Sequence, residues 1–317
     1  MSEPKLHHYV PRFYLKNFLN NRSRLYVFDK TTAKIFPTTE NSVAAENQFY
    51  RLPKPVPEGV DPLVIEKNFA AMESSAATII NKLLSDIDAT ELGGRLEISN
   101  QDRIILSEFI SAQYYRTLEF YDLLPFLLSE SKSELDVQTL SEQERKLLHF
   151  YFLANSGCIE NFTSDLLSSI WMFAKNPSNV QLMTSDHPVS IKNFENTMWL
   201  KGIAGLSDGE YVVYPLSPKV VMYCKERQRW SSLEHFDKTV SLIELNEEMV
   251  HHENAGQCFM ATRFLISQSD DFEEVKDFMP SIGTGLYSSG ATPTQDKALQ
   301  RTLKYNASRK QGIKRKK

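Results

Sequence analysis

The apolar positions of this chain change their period twice. Before residue 60 they fall in short runs of β-formers. Arg24-Leu-Tyr-Val-Phe-Asp29 and Ala33-Lys-Ile-Phe36, joined by Lys30-Thr-Thr, predict a hairpin, and Gln48-Phe-Tyr-Arg51 predicts a third strand. Pro53, Pro55, Pro57 and Gly59 then break any regular element. From 62 to 173 the spacing is helical. Ile65, Phe69, Met72, Ala76, Ile79, Ile80 and Leu83 predict a helix to about Ser85, and Ser99-Asn-Gln-Asp102 opens a second. Ser141-Glu-Gln-Glu144 has the form of a capping box and predicts a helix to about Asn155, with another from about Glu160 to Phe173. Period two returns in Asn179–Thr184, Tyr211–Pro215, Lys219–Cys224 and Thr239–Glu244, read as strands. Glu247–Phe259 reads as a helix, Phe264–Ser267 as a strand and Pro215-Leu-Ser-Pro218 as a rigid hairpin turn. Strands, then helices, then strands predict an α+β fold. Its central helical bundle is flanked by an N-terminal hairpin and a C-terminal, mostly antiparallel sheet. Residues 1–280 are expected to form one domain, and 281–317 a flexible basic tail.

Composition narrows the chemistry. At 317 residues and 41% apolar content the chain buries a core without disulfide or metal. Only 12 glycines are present, with neither GxxxxGK[ST] nor GxGxxG, which removes the usual support for P-loop or dinucleotide-fingerprint chemistry. Cys158, Cys224 and Cys258 form no CxxC pair and read as reduced thiols. Neither a signal peptide nor an apolar run long enough to span a membrane is visible, so the expected compartment is the cytoplasm. The net charge of -4 hides an asymmetry: Arg301, Lys304, Arg309, Lys310, Lys314, Arg315, Lys316 and Lys317 crowd the end of an otherwise acidic chain. Such a tail either binds nucleic acid by counterion release or is a solvated terminus.

The densest chemistry opens the chain. His7 and His8 supply a metal ligand or a general base near neutrality, and Arg12 can clamp a phosphate or carboxylate. Phe13, Tyr14, Leu15 and Phe18 anchor the segment. The string His-His-x-x-Pro is shared with the opening half of HNH-type nuclease sites, but the second half is missing, since the next histidine is His149. Glu66 and Glu73, seven apart, share one helix face; Gln113 and Arg116, three apart, share another. Apolar neighbours around both pairs point to a pocket edge or to a salt bridge tying two helices. Ser185 and Asp186 follow an apolar strand, where Asp186 suits a metal ligand and Ser185 a nucleophile, although no elbow glycines flank it. His251-His252, beside Glu247, Glu248 and Glu253, reads as a solvated helix face.

Taken together these strings resemble a bacterial family, domain of unknown function 4238. The resemblance rests on His7-His8-x-x-Pro11-x-Phe13-Tyr14-Leu15-x-x-Phe18 and Phe49-Tyr50, then on Glu66 and Glu73. It continues in Phe109-Ile110-x-x-Gln113-x-x-Arg116-Thr117, Thr184-Ser185-Asp186-His187-Pro188-Val189 and Pro215-Leu216-Ser217-Pro218. It spans about residues 5–270, with His187 where the family commonly has Asn.

The coincidence of these polar motifs predicts a metal-dependent hydrolase, a phosphodiesterase or nuclease acting on nucleic acid or nucleotides. Asp186, Glu73 and Glu66, with one of His7 and His8, are the expected ligands of a divalent ion, magnesium or manganese. The other histidine would activate water, Arg12 and Arg116 would hold phosphate charge, and Gln113 and Ser185 would complete the site. The resemblance suits a role in bacterial defence or as a toxin. The alternative is a non-catalytic module binding a ligand or protein through the same cleft.

Overall fold

The computed structural model describes residues 5–130 and 140–276. The basic tail expected at 281–317 lies outside them. The chain opens with β1 (Leu6–His8), α1 (Arg12–Lys16), β2 (Leu25–Asp29), β3 (Lys34–Thr38) and β4 (Ala45–Asn47). The helices α2 (Val64–Ala89), α3 (Asn100–Tyr115), α4 (Leu118–Glu130), α5 (Glu142–Asn155) and α6 (Cys158–Ser168) follow. Next come β5 (Ile170–Lys175), β6 (Thr184–Ser185), β7 (Ser190–Lys192), β8 (Trp199–Leu200), β9 (Tyr211–Ser217), β10 (Val220–Lys225) and β11 (Thr239–Val240). After them come α7 (Glu247–Met260) and β12 (Phe264–Ser267).

The fold is α+β. Six strands lie in the order β11-β5-β10-β9-β7-β8, antiparallel except where β11 runs parallel to β5. A second sheet has the order β3-β2-β12-β6. β12, about 240 residues after β2, pairs with it, so the N-terminal hairpin β2–β3 belongs to this second sheet. β1 pairs with β4.

The helix starts follow local chemistry. Ser99 accepts from Asp102 N–H at the head of α3, and Asp102 returns the bond to Ser99 N–H. Ser141 and Glu144 do the same at α5. These boxes satisfy donors that a helix end leaves orphaned. α3 is buried on nearly all sides and packs against α2, α4 and α6, so Phe109, Ile110, Tyr114 and Tyr115 form the middle of the core.

Several expected elements move. The helix expected from about Glu160 to Phe173 ends at Ser168, and Ile170–Lys175 is an inner strand between β10 and β11. The strand expected at Gln48–Arg51 is a turn, with β4 just before it. Of the 179–184 run only Thr184 is strand, in β6, and of the 239–244 run only Thr239–Val240. β9 runs through Pro215, where a turn was expected, and reverses only after Ser217. Pro215 fits because β7 pairs with β9 only up to Val213, so no ladder bond is asked of the missing N–H on that side.

Candidate functional site

The site is assembled on β1. Pairing with β4 sets His7 opposite Glu46 and His8 opposite Ala45. Alternation along the strand then buries His7 fully and leaves His8 half-exposed. His7 Nδ1 accepts from Tyr50 N–H at 3.1 Å, which places the proton of the neutral ring on Nε2. The His7 ring stacks on Tyr50 at 6.3 Å.

Arg116 enters from the C-terminal end of α3 and is 1% exposed. Its Nη2 donates to the His8 carbonyl at 2.6 Å and pairs with Glu73 Oε1 at 2.7 Å. Its guanidinium lies 4.2 Å over Phe69, and Tyr50 Oη donates to the Arg116 carbonyl at 2.6 Å. Gln113, one turn earlier, donates through Nε2 to the Tyr9 carbonyl at 2.9 Å. Gln113 and Arg116 thus meet the β1 segment, and Glu73 meets Arg116.

The exceptions to hydrogen bonding concentrate here. Arg116 Nη1, Gln113 Oε1, Glu66 Oε2 and His8 Nε2 are all buried with no hydrogen-bond partner among the described residues. Buried polar atoms are normally satisfied, so four in one neighbourhood mark a place for a ligand or water. Glu66 Oε2 lies 3.6 Å from His7 Nδ1. That is too long for a hydrogen bond, and the nitrogen already accepts from Tyr50.

Electrostatics separate the two titratable groups. Burial pushes the Glu66 carboxyl up to about 7; Arg116 opposes this and Glu73 reinforces it. Burial holds His8 below its ordinary value, helped by Arg12 and Arg116 and opposed by bonds to the Glu40 and Asn41 backbone. Arg12 is exposed and stands 4.0 Å from Glu40 at the rim.

The second half of the expected site lies elsewhere. Asp186 Oδ1 accepts from Thr262 N–H at 2.9 Å, and Oδ2 accepts from Arg263 and Phe264 N–H at 2.8 and 2.9 Å. Its carboxyl caps the turn between α7 and β12. Burial raises it to about 6 against those three bonds. Ser185 Oγ donates to Gln257 Oε1 at 2.9 Å and accepts from His187 N–H at 3.2 Å, so it is a tether between strand and helix. His187 Nδ1 shares a proton with Thr117 Oγ1 at 2.8 Å. The expected metal set therefore does not assemble. Asp186 is committed to backbone, Glu73 to Arg116, and no three His, Cys, Asp or Glu side chains gather as a metal site among the described residues.

Tyr50 is the participant whose role the residue-by-residue reading missed. Phe49-Tyr50 carried the resemblance, but nothing local shows that its N–H holds His7 and its hydroxyl holds Arg116. The His251-His252 face is solvated only in part: Glu247 and Glu248 are exposed, but His251 pairs with Glu274 at 2.6 Å and Glu253 is buried.

No helix among the described residues is long and apolar enough to cross a membrane. No curated protein and no solved structure matches the chain. A family model described as a protein of unknown function, DUF4238, matches residues 6–271, and the chain belongs to that family.

Proposed function

We propose that this DUF4238 member is a hydrolase of phosphodiesters, in nucleic acid or a nucleotide, working by general acid–base chemistry on the β1 site. One observation carries the reading. Arg116 Nη1, His8 Nε2 and Glu66 Oε2 are each buried without a partner, Arg116 is bonded to the His8 carbonyl and acts electrostatically on Glu66, and the Glu66 carboxyl is held near neutrality. Arg116 Nη1 and the exposed Arg12 would hold phosphoryl oxygens. Neutral His8 would take the proton of an attacking water through Nε2, and protonated Glu66 would give one to the leaving oxygen. Glu73, Tyr50 and Phe69 would position Arg116.

The test is turnover of bis(4-nitrophenyl) phosphate and of single-stranded DNA and RNA, with and without a chelator. The expected result is turnover that survives chelation and falls at least about 100-fold in both Glu66→Gln and His8→Asn, the range of a lost acid or base. Turnover that ignores both variants would overturn it. Turnover that vanishes on chelation would return the metal-dependent mechanism.

A second reading is a binding module for an anionic ligand. Its support is that Arg116 is already fixed by Glu73, Phe69 and the His8 carbonyl, as a recognition residue would be. It expects inorganic phosphate or nucleotide to raise the melting temperature with no turnover.

A further inference from the structure

A separate cavity of about 710 Å³ opens between the six-stranded sheet and α7. It uses none of the residues of the β1 site. The strand register explains its charge. Lys192 on β7 pairs with Tyr211 on β9, and Tyr211 pairs with Lys225 on β10. Directly paired residues project to the same face of a sheet, so two lysines stand on either side of Tyr211 on the face that α7 covers. Trp199 on β8 extends the same row beside Lys192.

Both ammonium groups are held by aromatic faces instead of carboxylates. Lys225 Nζ lies 3.8 Å from the Trp230 ring centre and 4.0 Å from that of Tyr211. Lys192 Nζ lies 4.3 Å from that of Trp199, is buried, and has no hydrogen-bond partner. Neither forms an ion pair among the described residues. The carboxylate facing them is Glu253 of α7, whose Oε1 accepts from Tyr223 at 2.9 Å while its buried Oε2 has no partner. Aromatic quadrupoles favour the charged over the neutral amine. The row is thus one negative charge short in a desolvated place, and buried charge wants a counter-charge. The rest of the wall joins Met172, Ala174, Leu245 and Met249 to polar groups, with the exposed Glu248 and the partly buried His252 on α7.

We propose that this cavity binds a small monocarboxylate with an apolar, aromatic-sized body. Its carboxylate would face Lys225, the lysine that lines the cavity, and its body would lie against the methionine and leucine wall. A size of hundreds of cubic ångströms, an apolar lining and a few convergent polar groups are the ordinary marks of a small-molecule site.

The experiment titrates 3-phenylpropanoate and its neutral counterpart 3-phenylpropanamide into the full chain, following tryptophan fluorescence and melting temperature. The acid should bind saturably and at least ten-fold more tightly than the amide, and Lys225→Met should remove that preference. Where Lys225→Met does not fold, Ala255→Trp, which fills the cavity from α7, should abolish binding instead. Equal affinity for acid and amide would overturn the proposal, as would no binding, or binding that survives the variant that folds. Phosphodiester turnover should be unchanged in both variants, so this site and the β1 site fail separately.

Discussion

At the residue scale, the β1 site is defined by two groups pushed in opposite directions. Burial favours the neutral form of each: His8 loses its proton below its ordinary 6.5 and Glu66 keeps its own to about 7. The acid–base mechanism needs neutral His8 together with protonated Glu66. Turnover should therefore climb as pH rises through the lowered His8 value, and fall as pH rises through about 7. In Glu66→Gln the alkaline limb should disappear from what activity remains; an unchanged limb would assign it to another group. The same carboxyl has a signature in stability. Its folded value is raised, so its contribution is full in acid and lost as pH rises from the usual carboxylate range through about 7. Glu66→Gln should thus gain on the wild type between pH 4 and pH 8, by about 2–3 kcal/mol at most, measured by denaturant titration at both values. The residue types of this site were legible in the sequence because His7-His8 are adjacent and the α2 and α3 pairs follow helical spacing. The Tyr50 contacts were not, since β1–β4 pairing and a turn create them.

At the element scale, Asp186 shows how a motif at a strand end can be structural. Its anchors at 262–264 lie some 76 residues downstream, and only the β12–β6 pairing brings them to its carboxylate. Asp186→Ala would strand three N–H groups of one turn, one buried and two partly buried. It should cost about 3–5 kcal/mol, with turnover per folded molecule unchanged. Loss of turnover without loss of stability would restore Asp186 to the active site. The α3 capping box offers a milder contrast: Ser99→Ala should cost about 1 kcal/mol, read as a small drop in melting temperature, and nothing else. Capping boxes are readable because donor and acceptor lie three residues apart. β5 was unreadable for the opposite reason. Ile170-Trp-Met-Phe continues the apolar spacing of α6, and its antiparallel partner, β10, lies about 50 residues further on. Both helix starts and most of the β-rich runs were legible as elements; which strands meet was not.

At the scale of the whole molecule, the core holds polar groups that only a finished fold can keep uncharged. His149 on α5 donates from Nε2 to the Tyr115 carbonyl at 2.9 Å, and burial lowers it to about 4. His187 sits between Thr117 and the edge of Tyr114, and burial lowers it to about 3. In the unfolded chain both return to near 6.5. Below that value the unfolded state binds protons that the folded state refuses, so each histidine withdraws stability as pH falls from about 6.5 towards its own lowered value. The double variant His149→Gln, His187→Asn keeps a nitrogen at each hydrogen-bonding position and removes the titration. Other titrating groups are common to both proteins and cancel in the comparison. The variant should therefore be less stable than the wild type at pH 7.5, where repacking is all that differs. The gap should close or reverse by several kcal/mol towards pH 4.5, in unfolding titrations at matched ionic strength. A gap that stays constant with pH would mean that these histidines charge inside the fold. The core around α3 would then be open to water, and the aromatic packing that positions Arg116 would not be as dry as the site chemistry requires.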